Sequence, residues 1–164
     1  MRNLGIIIII TCHLGLYGQS AKELKQKVQN QIQISIMDQF YADYWLICNK
    51  DNAYYNSDTI KLYNYITNIY NSNYCCSFVV WYFRSKSNFS FSETVVCDQP
   101  YNTKVVYKNI CHCKIKWKIL NDQLILIKKC DLKKDEKYLV LDLKKELFPW
   151  GTFSNYILTM KRIK

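Results

Sequence analysis

One long stretch of alternating residues, KVVYKNICHCKIKWKIL at 104–120, restricts the possible fold more than any other feature of this chain. Its apolar residues take every second position, at Cys111, Cys113, Ile115, Trp117 and Ile119, whereas the positions between them hold His112, Lys114, Lys116 and Lys118. Because successive side chains of a strand point to opposite faces, this pattern predicts a strand with one buried and one solvated face.

The residues around this strand predict an antiparallel meander. Asn121 and Asp122 supply a two-residue turn of types that tolerate positive φ, and QLILIKK then returns along the first strand. Similar short runs at YCCSFVVWYFR, FSFSETVVC, KYLVLDLK and NYILTMKRIK bring the total to about seven strands. The sequence therefore predicts a mainly β fold, with an antiparallel β-barrel favoured and a disulfide-stapled β-sandwich as the alternative.

Two segments predict short helices. Within residues 22–36, apolar side chains recur every four residues, at Leu24, Val28, Ile32 and Ile36. Within residues 58–71, Ser57 or Asp58 offers an N-cap before a helical stripe of Ile60, Tyr63, Ile66, Thr67 and Tyr70.

The first twenty residues have the organisation of a signal peptide. Arg2 precedes an apolar run from Leu4 to Leu16, and small residues follow at Gly18 and Ser20. A membrane anchor is the alternative, but the run falls short of the roughly 20 residues that a spanning helix needs. We therefore expect residues 1–20 to be removed and residues 21–164 to form one secreted, extracellular domain without a membrane span.

The cysteine count fits an oxidising compartment. Removal of the signal peptide would leave seven cysteines, at Cys48, Cys75, Cys76, Cys97, Cys111, Cys113 and Cys130. We expect three disulfides of open pairing, with one thiol over that could link two copies. The CHC motif suggests a metal site, but on a strand His112 points away from Cys111 and Cys113, so we expect no bound metal.

Positive charge is concentrated in the second half of the chain. Residues 104–164 contain fifteen Lys or Arg against six Asp or Glu, whereas residues 22–103 are balanced at seven each. The alternating lysines fit solvated strand faces, with weak binding of a polyanion as the alternative. Secretion argues against nucleic acid as the partner. The NFS consensus makes Asn88 a candidate N-glycosylation site at the surface.

Two motifs resemble the lipocalin family. The first-strand pattern of that family is similar to the residues Phe40, Ala42, Tyr44, Trp45 and Ile47, with Ala in place of Gly and the two aromatics exchanged. A second motif is similar to Thr152, Phe153, Asn155 and Tyr156. The late arginine that packs over the first-strand tryptophan has no clear counterpart here. The resemblance implies a barrel that carries a small hydrophobic ligand.

Catalytic motifs are absent from the sequence. His112 is the one histidine after the signal peptide, and no phosphate loop, zinc-ligand spacing, nucleophile elbow or carboxylate pair occurs. We therefore predict a secreted binding protein without enzymatic activity or cofactor, whose partner is a small apolar molecule or an extracellular protein. The aromatic candidates for a ligand cavity are Tyr44, Trp45, Trp81, Trp117, Phe153 and Tyr156. The alternative is a protein-binding effector, toxin or immune modulator with a solid core.

Overall fold

The fold is an eight-stranded closed antiparallel barrel, to which the described residues add two α-helices and one 3₁₀ helix. The structure is a computed structural model that describes residues 19–37, 44–64, 75–99, 102–131, 133–147 and 154–163. Within these ranges the side chains at 96–99, 102–107, 133, 147 and 154 are not described. The prediction of a mainly β barrel is confirmed, and the sandwich alternative is excluded by closure of the sheet.

The helical elements all precede the main meander. They are α1 (Ala21–Met37), the 3₁₀ helix η1 (Lys50–Asn52) and α2 (Ala53–Asn56). The strands are β1 (Tyr44–Cys48), β2 (Thr59–Tyr63), β3 (Ser77–Phe83), β4 (Asn88–Gln99), β5 (Asn102–Leu120), β6 (Gln123–Cys130), β7 (Lys133–Leu147) and β8 (Ser154–Ile163). Among the helices of the described ranges, none combines the length and the apolar content that crossing a membrane requires.

The strand order differs from a simple up-and-down barrel at one place. Around the barrel the strands follow the order β1-β2-β8-β7-β6-β5-β4-β3, and β3 closes the ring by pairing with β1. From β3 to β8 consecutive strands are neighbours, as the meander prediction required. At the start of the chain, however, β1 and β2 are exchanged relative to the consecutive order of an up-and-down barrel.

The helix expected at 58–71 is replaced, over its described part, by a strand. Residues 59–63 form β2, and Ile60 and Leu62 are fully buried on its inner face while Thr59 and Lys61 are exposed. β2 pairs with β8 from Thr59 to Tyr63 and fills the position that closes the barrel. Cross-strand hydrogen bonds and burial of two side chains therefore override the helical spacing. The second α-helix lies earlier, at Ala53–Asn56.

The predicted turn of the β5–β6 hairpin is confirmed, and so are the predicted faces of β5 except at Ile119, which is 43 % exposed near the turn. Asn121 and Asp122 adopt positive φ values of 48° and 54° between the paired Leu120 and Gln123. Along β5, Cys111, Cys113 and Ile115 are buried, and the lysines between and beyond them are exposed. The turn residues and the alternation thus act together to set this register.

Helix α1 covers one end of the barrel. Ser20 caps it: its hydroxyl accepts a hydrogen bond from the Glu23 amide (3.3 Å), and the Ser20 amide donates to the Glu23 carboxylate (3.1 Å). The Ala21 amide donates to Asp122 at the β5–β6 turn (3.2 Å). Towards the far end of α1, the Ser35 hydroxyl accepts from the Asn64 amide beyond β2 (2.8 Å). These two sites lie on opposite sides of the ring, so α1 crosses its full width.

The inner face of α1 joins the barrel core. Leu24, Val28 and Ile32 are buried, the last two completely, and they belong to the same apolar cluster as the inward-facing strand residues. The helix predicted at 22–36 is therefore confirmed, and its four-residue apolar spacing is explained by packing over the open edge of the barrel.

The segment between β1 and β2 covers the opposite end. Arg162 on β8 donates to the Tyr54 carbonyl of α2 (2.7 Å), while the Tyr55 hydroxyl donates to Glu93 on β4 (2.5 Å). β8 and β4 lie on opposite sides of the ring, so α2 also crosses the barrel axis. Both ends of the barrel are thus occupied by segments that precede the meander.

Candidate functional site in the barrel interior

The structure brings four of the six predicted ligand-binding aromatics to the inner side of the barrel. Trp45 on β1 and Trp81 on β3 are directly paired in register and fully buried. Trp117 and Tyr156 are half-buried and pack against the same core. Tyr44 lies on the outer face, where it packs beside Leu46 and Phe78, and Phe153 lies outside the described residues.

The interior around these aromatics is filled. Trp81 stacks on Phe89 with ring centroids 4.7 Å apart, meets Tyr138 edge-on at 6.0 Å, and lies 6.4 Å from Phe83. A side chain that borders a water-sized gap retains accessible surface. The large inner side chains with 0 % exposure include Trp45, Tyr54, Trp81, Phe91, Leu126 and Tyr138. At these positions the closed barrel leaves no space for a ligand.

A buried ion pair lies near the end that α2 covers. The Lys128 ammonium on β6 donates to the Glu136 carboxylate on β7 at 2.9 Å. The Lys128 side chain is only 1 % exposed, whereas the Glu136 side chain retains 26 %. Removing an ammonium from water costs several kcal/mol unless a counter-ion and hydrogen bonds compensate it, so Glu136 is required where Lys128 is buried.

Two tyrosines complete the hydrogen-bonding of this pair. Lys128 also points its ammonium at the Tyr54 hydroxyl (3.4 Å), whose oxygen lies 3.0 Å from the Tyr138 hydroxyl. Tyr138 in turn donates to the second carboxylate oxygen of Glu136. Lys128 therefore donates to Tyr54, Tyr54 to Tyr138, and Tyr138 to Glu136. Because Lys128 also contacts Glu136 directly, the four side chains form a closed ring of hydrogen bonds.

Aromatic faces surround both cations of the network. The Lys128 ammonium lies 4.3 Å from the ring centroid of Phe91 and 5.6 Å from that of Trp81. The Arg162 guanidinium lies 4.8 Å from the Tyr54 ring and 5.7 Å from the Tyr138 ring. These contacts stabilise positive charge where water is excluded.

The titration behaviour of the network follows from its burial. Burial raises the pKa of Tyr54, and the neighbouring Glu136 charge adds to that rise. Burial likewise raises the pKa of Tyr138, with the charges of Tyr54 and Glu136 acting in the same direction. Burial alone would raise the pKa of Glu136, but the Lys128 ammonium and the Tyr138 hydrogen bond outweigh it and lower that pKa. At neutral pH both hydroxyls therefore keep their protons, so that Tyr54 donates to Tyr138 and Tyr138 donates to Glu136.

Two indole donors lie buried in the interior. Nε1 of Trp45 makes no hydrogen bond within the described part of the chain, whereas Nε1 of Trp81 interacts with the Tyr54 hydroxyl without the geometry of a normal hydrogen bond. Buried donors are normally satisfied by protein or by ordered water. Arg162 Nε, beside the ion-pair network, is a further buried donor without a partner in the described residues. A bound molecule with an acceptor atom would satisfy such a donor.

The cysteines form two disulfides in the described residues, where three were expected. Cys48 joins Cys75, and Cys113 joins Cys130. Cys76 is an exposed thiol and Cys111 a buried one, and the Cys97 side chain is not described. Cys113 and Cys130 are direct partners in the β5–β6 register. Cys111 lies on the same face of β5 as Cys113 but forms no disulfide.

The sulfur atoms of Cys111, Cys113 and Cys130 all lie within 4.8 Å of one another. Two of the three are joined in a disulfide and have no free thiolate, so they can ligate a metal only after reduction. His112 lies on the opposite face, where Nδ1 is 3.3 Å from the Ser90 hydroxyl. The CHC motif therefore does not converge on one point.

Sequence reasoning missed the ion pair although a signal was present. Lys128 is one of the lysines of residues 104–164 that were predicted to lie on solvated strand faces, yet it continues the inward series Leu124, Leu126, Lys128 and Cys130 of QLILIKKC. A lysine at an inward position of a strand indicates a buried cation that needs a partner. That partner, Glu136, has no comparable signal because its contact depends on the β6–β7 register.

Comparison of the chain with protein-family models, with curated proteins and with solved structures gave no match.

Proposed function

We propose that this chain is a secreted, non-catalytic binding protein that contacts its partner through the outer surface of a filled barrel. The observation that carries the proposal is the complete burial of the large inner side chains, together with coverage of both barrel ends by α1 and α2. The buried ion pair supports the absence of catalysis, because its described hydrogen bonds are directed at other members of the ring.

Secretion is supported by cysteine chemistry and by the N-terminal sequence. The Cys48–Cys75 and Cys113–Cys130 disulfides would persist in an oxidising compartment. Cleavage after Gly18 would retain the Ser20 cap of α1, whereas cleavage after Ser20 would remove it. The N-terminal residue of protein collected from the medium of expressing cells distinguishes these two sites from retention of the leader.

The lipocalin-like carrier is the second candidate, and the unpartnered indole donor of Trp45 favours it. In that case α1 would move aside to admit an apolar molecule bearing an acceptor group. The lipocalin resemblance stays a prediction, and the exchanged positions of β1 and β2 are a departure from the consecutive order of an up-and-down barrel.

Ligand occupancy separates the two candidates. We expect native mass spectrometry of the secreted protein to show the mass of the bare chain, apart from any glycan, because the interior has no free volume at its aromatic centre. We also expect a fluorescent fatty acid to leave the tryptophan emission unchanged. A co-purifying apolar molecule, or saturable quenching by the probe, would establish the carrier and contradict the filled barrel.

Glycosylation at Asn88 is a separate prediction of a secreted protein. Asn88 is exposed at the first residue of β4, where its amide donates to the Ser85 hydroxyl (3.0 Å). We expect protein from eukaryotic cells to lose a glycan-sized mass on treatment with an N-glycosidase. Asn88→Gln and Ser90→Ala should each abolish that shift, whereas Ser92→Ala should leave it unchanged. An unmodified wild-type chain that is nevertheless secreted would contradict the prediction.

A further inference from the structure

The outer face of β5 presents a column of basic side chains. His112, Lys114, Lys116 and Lys118 occupy alternate positions and are all exposed. Alternate residues of a strand lie about 6.7 Å apart, so the Cα atoms of the three lysines span about 13 Å along β5. None of these lysines has an ion-pair partner among the described side chains.

The strands beside this column add no acidic side chain to it. On the β4 side, Asn88 pairs with Lys114 and Ser90 with His112. On the β6 side, Lys129 pairs with Lys114, and its ammonium already engages Asp135 at 3.0 Å. Beside the three lysines the column therefore borders neutral residues and one lysine whose counter-ion is taken. Exposed Asp131 lies at the other end, where its amide donates to the His112 carbonyl (3.3 Å).

The turn between β3 and β4 extends the basic surface. Arg84 and Lys86 are exposed in this turn. The turn is held against β5 because the Ile115 amide donates to the Ser87 carbonyl (2.7 Å) and the Trp117 indole to the Lys86 carbonyl (3.3 Å). We name the surface formed by Arg84, Lys86, Lys114, Lys116 and Lys118 the β5 basic face.

We propose that the β5 basic face binds a sulfated polysaccharide of the extracellular matrix or cell surface. Repeated like charges along a straight strand match an extended polyanion, and the hydroxyl and amide groups of Ser85, Ser87 and Asn88 at its edge suit a hydroxyl-rich chain. Proteins that bind single-stranded nucleic acid usually stack its bases on aromatic side chains. The cross-strand neighbours of these lysines are instead Asn88, Ile125, Ile127 and Lys129, none of which is aromatic. The choice of an extracellular polyanion rests on the proposed secretion.

Matched triple variants test the proposal on the intact, disulfide-bonded protein. Lys114→Gln, Lys116→Gln and Lys118→Gln together remove three charges from the β5 basic face. Lys61→Gln, Lys145→Gln and Lys161→Gln remove three exposed charges from β2, β7 and β8, so the net charge is the same. All six positions are solvent-exposed, and circular dichroism verifies that both variants keep the barrel.

We expect wild-type protein to bind immobilised heparin in a salt-dependent manner. The β5 variant should bind at least about tenfold more weakly near physiological salt, because three cationic contacts are lost, and the control variant should stay within about twofold of wild type. The unglycosylated Asn88→Gln protein should bind at least as well as wild type, since a glycan there would crowd Lys114.

Three results would overturn the proposal. If the wild-type protein does not bind heparin, the proposal is wrong. If the two triple variants lose the same affinity for heparin, binding depends on net charge alone and not on the β5 basic face. Tighter binding of single-stranded DNA than of heparin, lost in the same β5 variant, would assign the face to nucleic acid. The proposed function is tested separately by secretion and by the absence of a bound ligand in the filled interior, so failure of heparin binding leaves it standing.

Discussion

Replacing Glu136 by Gln is expected to lower the free energy of unfolding by about 3 kcal/mol, because the change leaves the Lys128 ammonium without a counter-ion in a site that water does not reach. The value lies at the lower end of the range for buried pairs since the Glu136 side chain keeps 26 % exposure, which allows partial hydration. Urea unfolding of the two proteins at neutral pH measures the difference.

The adjacent surface pair provides a matched control on the same two strands. Lys129 and Asp135 are 3.0 Å apart but 53 % and 46 % exposed. We expect Asp135→Asn to change the free energy of unfolding by no more than about 0.5 kcal/mol, as exposed pairs do. Equal losses of unfolding free energy in Glu136→Gln and Asp135→Asn would show that the burial of Lys128 does not make its ion pair more important for stability than the exposed pair.

The lowered pKa of Glu136 adds a pH dependence of known sign. A carboxyl whose pKa is lower in the folded than in the unfolded state stabilises the fold above its unfolded pKa of about 4.3, and this contribution is lost as pH falls through the folded pKa. We therefore expect the gap in stability between wild type and Glu136→Gln to narrow below about pH 4. A stability difference between the two proteins that stays constant from pH 7 to pH 3 would contradict a lowered pKa of Glu136.

Replacing Trp81 by Ala is expected to cost about 3–5 kcal/mol of unfolding free energy, as truncation of a large core aromatic does. Trp81 is fully buried, pairs with Trp45 across β1 and β3, and stacks on Phe89. Trp117→Ala should cost clearly less, since that side chain is only half-buried near the end of the barrel. Thermal and urea unfolding compare the two variants.

The same variant tests whether the barrel is filled. Added indole should raise the melting temperature of Trp81→Ala, because it can occupy the space vacated by the side chain, and should leave the wild type unchanged. Stabilisation of wild type by indole would reveal room in the native interior. That result would favour the carrier over a protein that acts through its outer surface.

The β5–β6 hairpin shows how much local pattern predicts. Alternation assigned the buried and exposed faces of β5, and the conformational tolerance of Asn121 and Asp122 placed the turn between the two strands. Both signals arise within a few residues of the chain, so they do not depend on the rest of the fold. The lysines of the β5 basic face are predictable for the same reason.

The candidate site was predictable only in part. Trp45 and Trp81 were predicted as inward aromatics, but Tyr44, which was predicted with them, lies on the outer face. The inward position of Lys128 follows from alternation along β6. The placement of Tyr54, Glu136 and Arg162 beside Lys128 does not, because these residues come from α2, β7 and β8 and meet only in the closed barrel.

The sequence by itself determined which face of β5 is apolar from Cys111 to Trp117, where the β5–β6 hairpin turns, and that residues 22–36 have an apolar stripe of helical spacing. Tertiary structure alone decided that residues 59–63 are a strand, that β2 lies between β1 and β8, and that α1 crosses one end of the barrel. The physical reason is the distance along the chain between the residues that interact. Side-chain periodicity and turn preferences are set by residues that are close together in the chain. Closure, by contrast, is set by hydrogen bonds and apolar contacts between residues as far apart as Thr59 and Lys161.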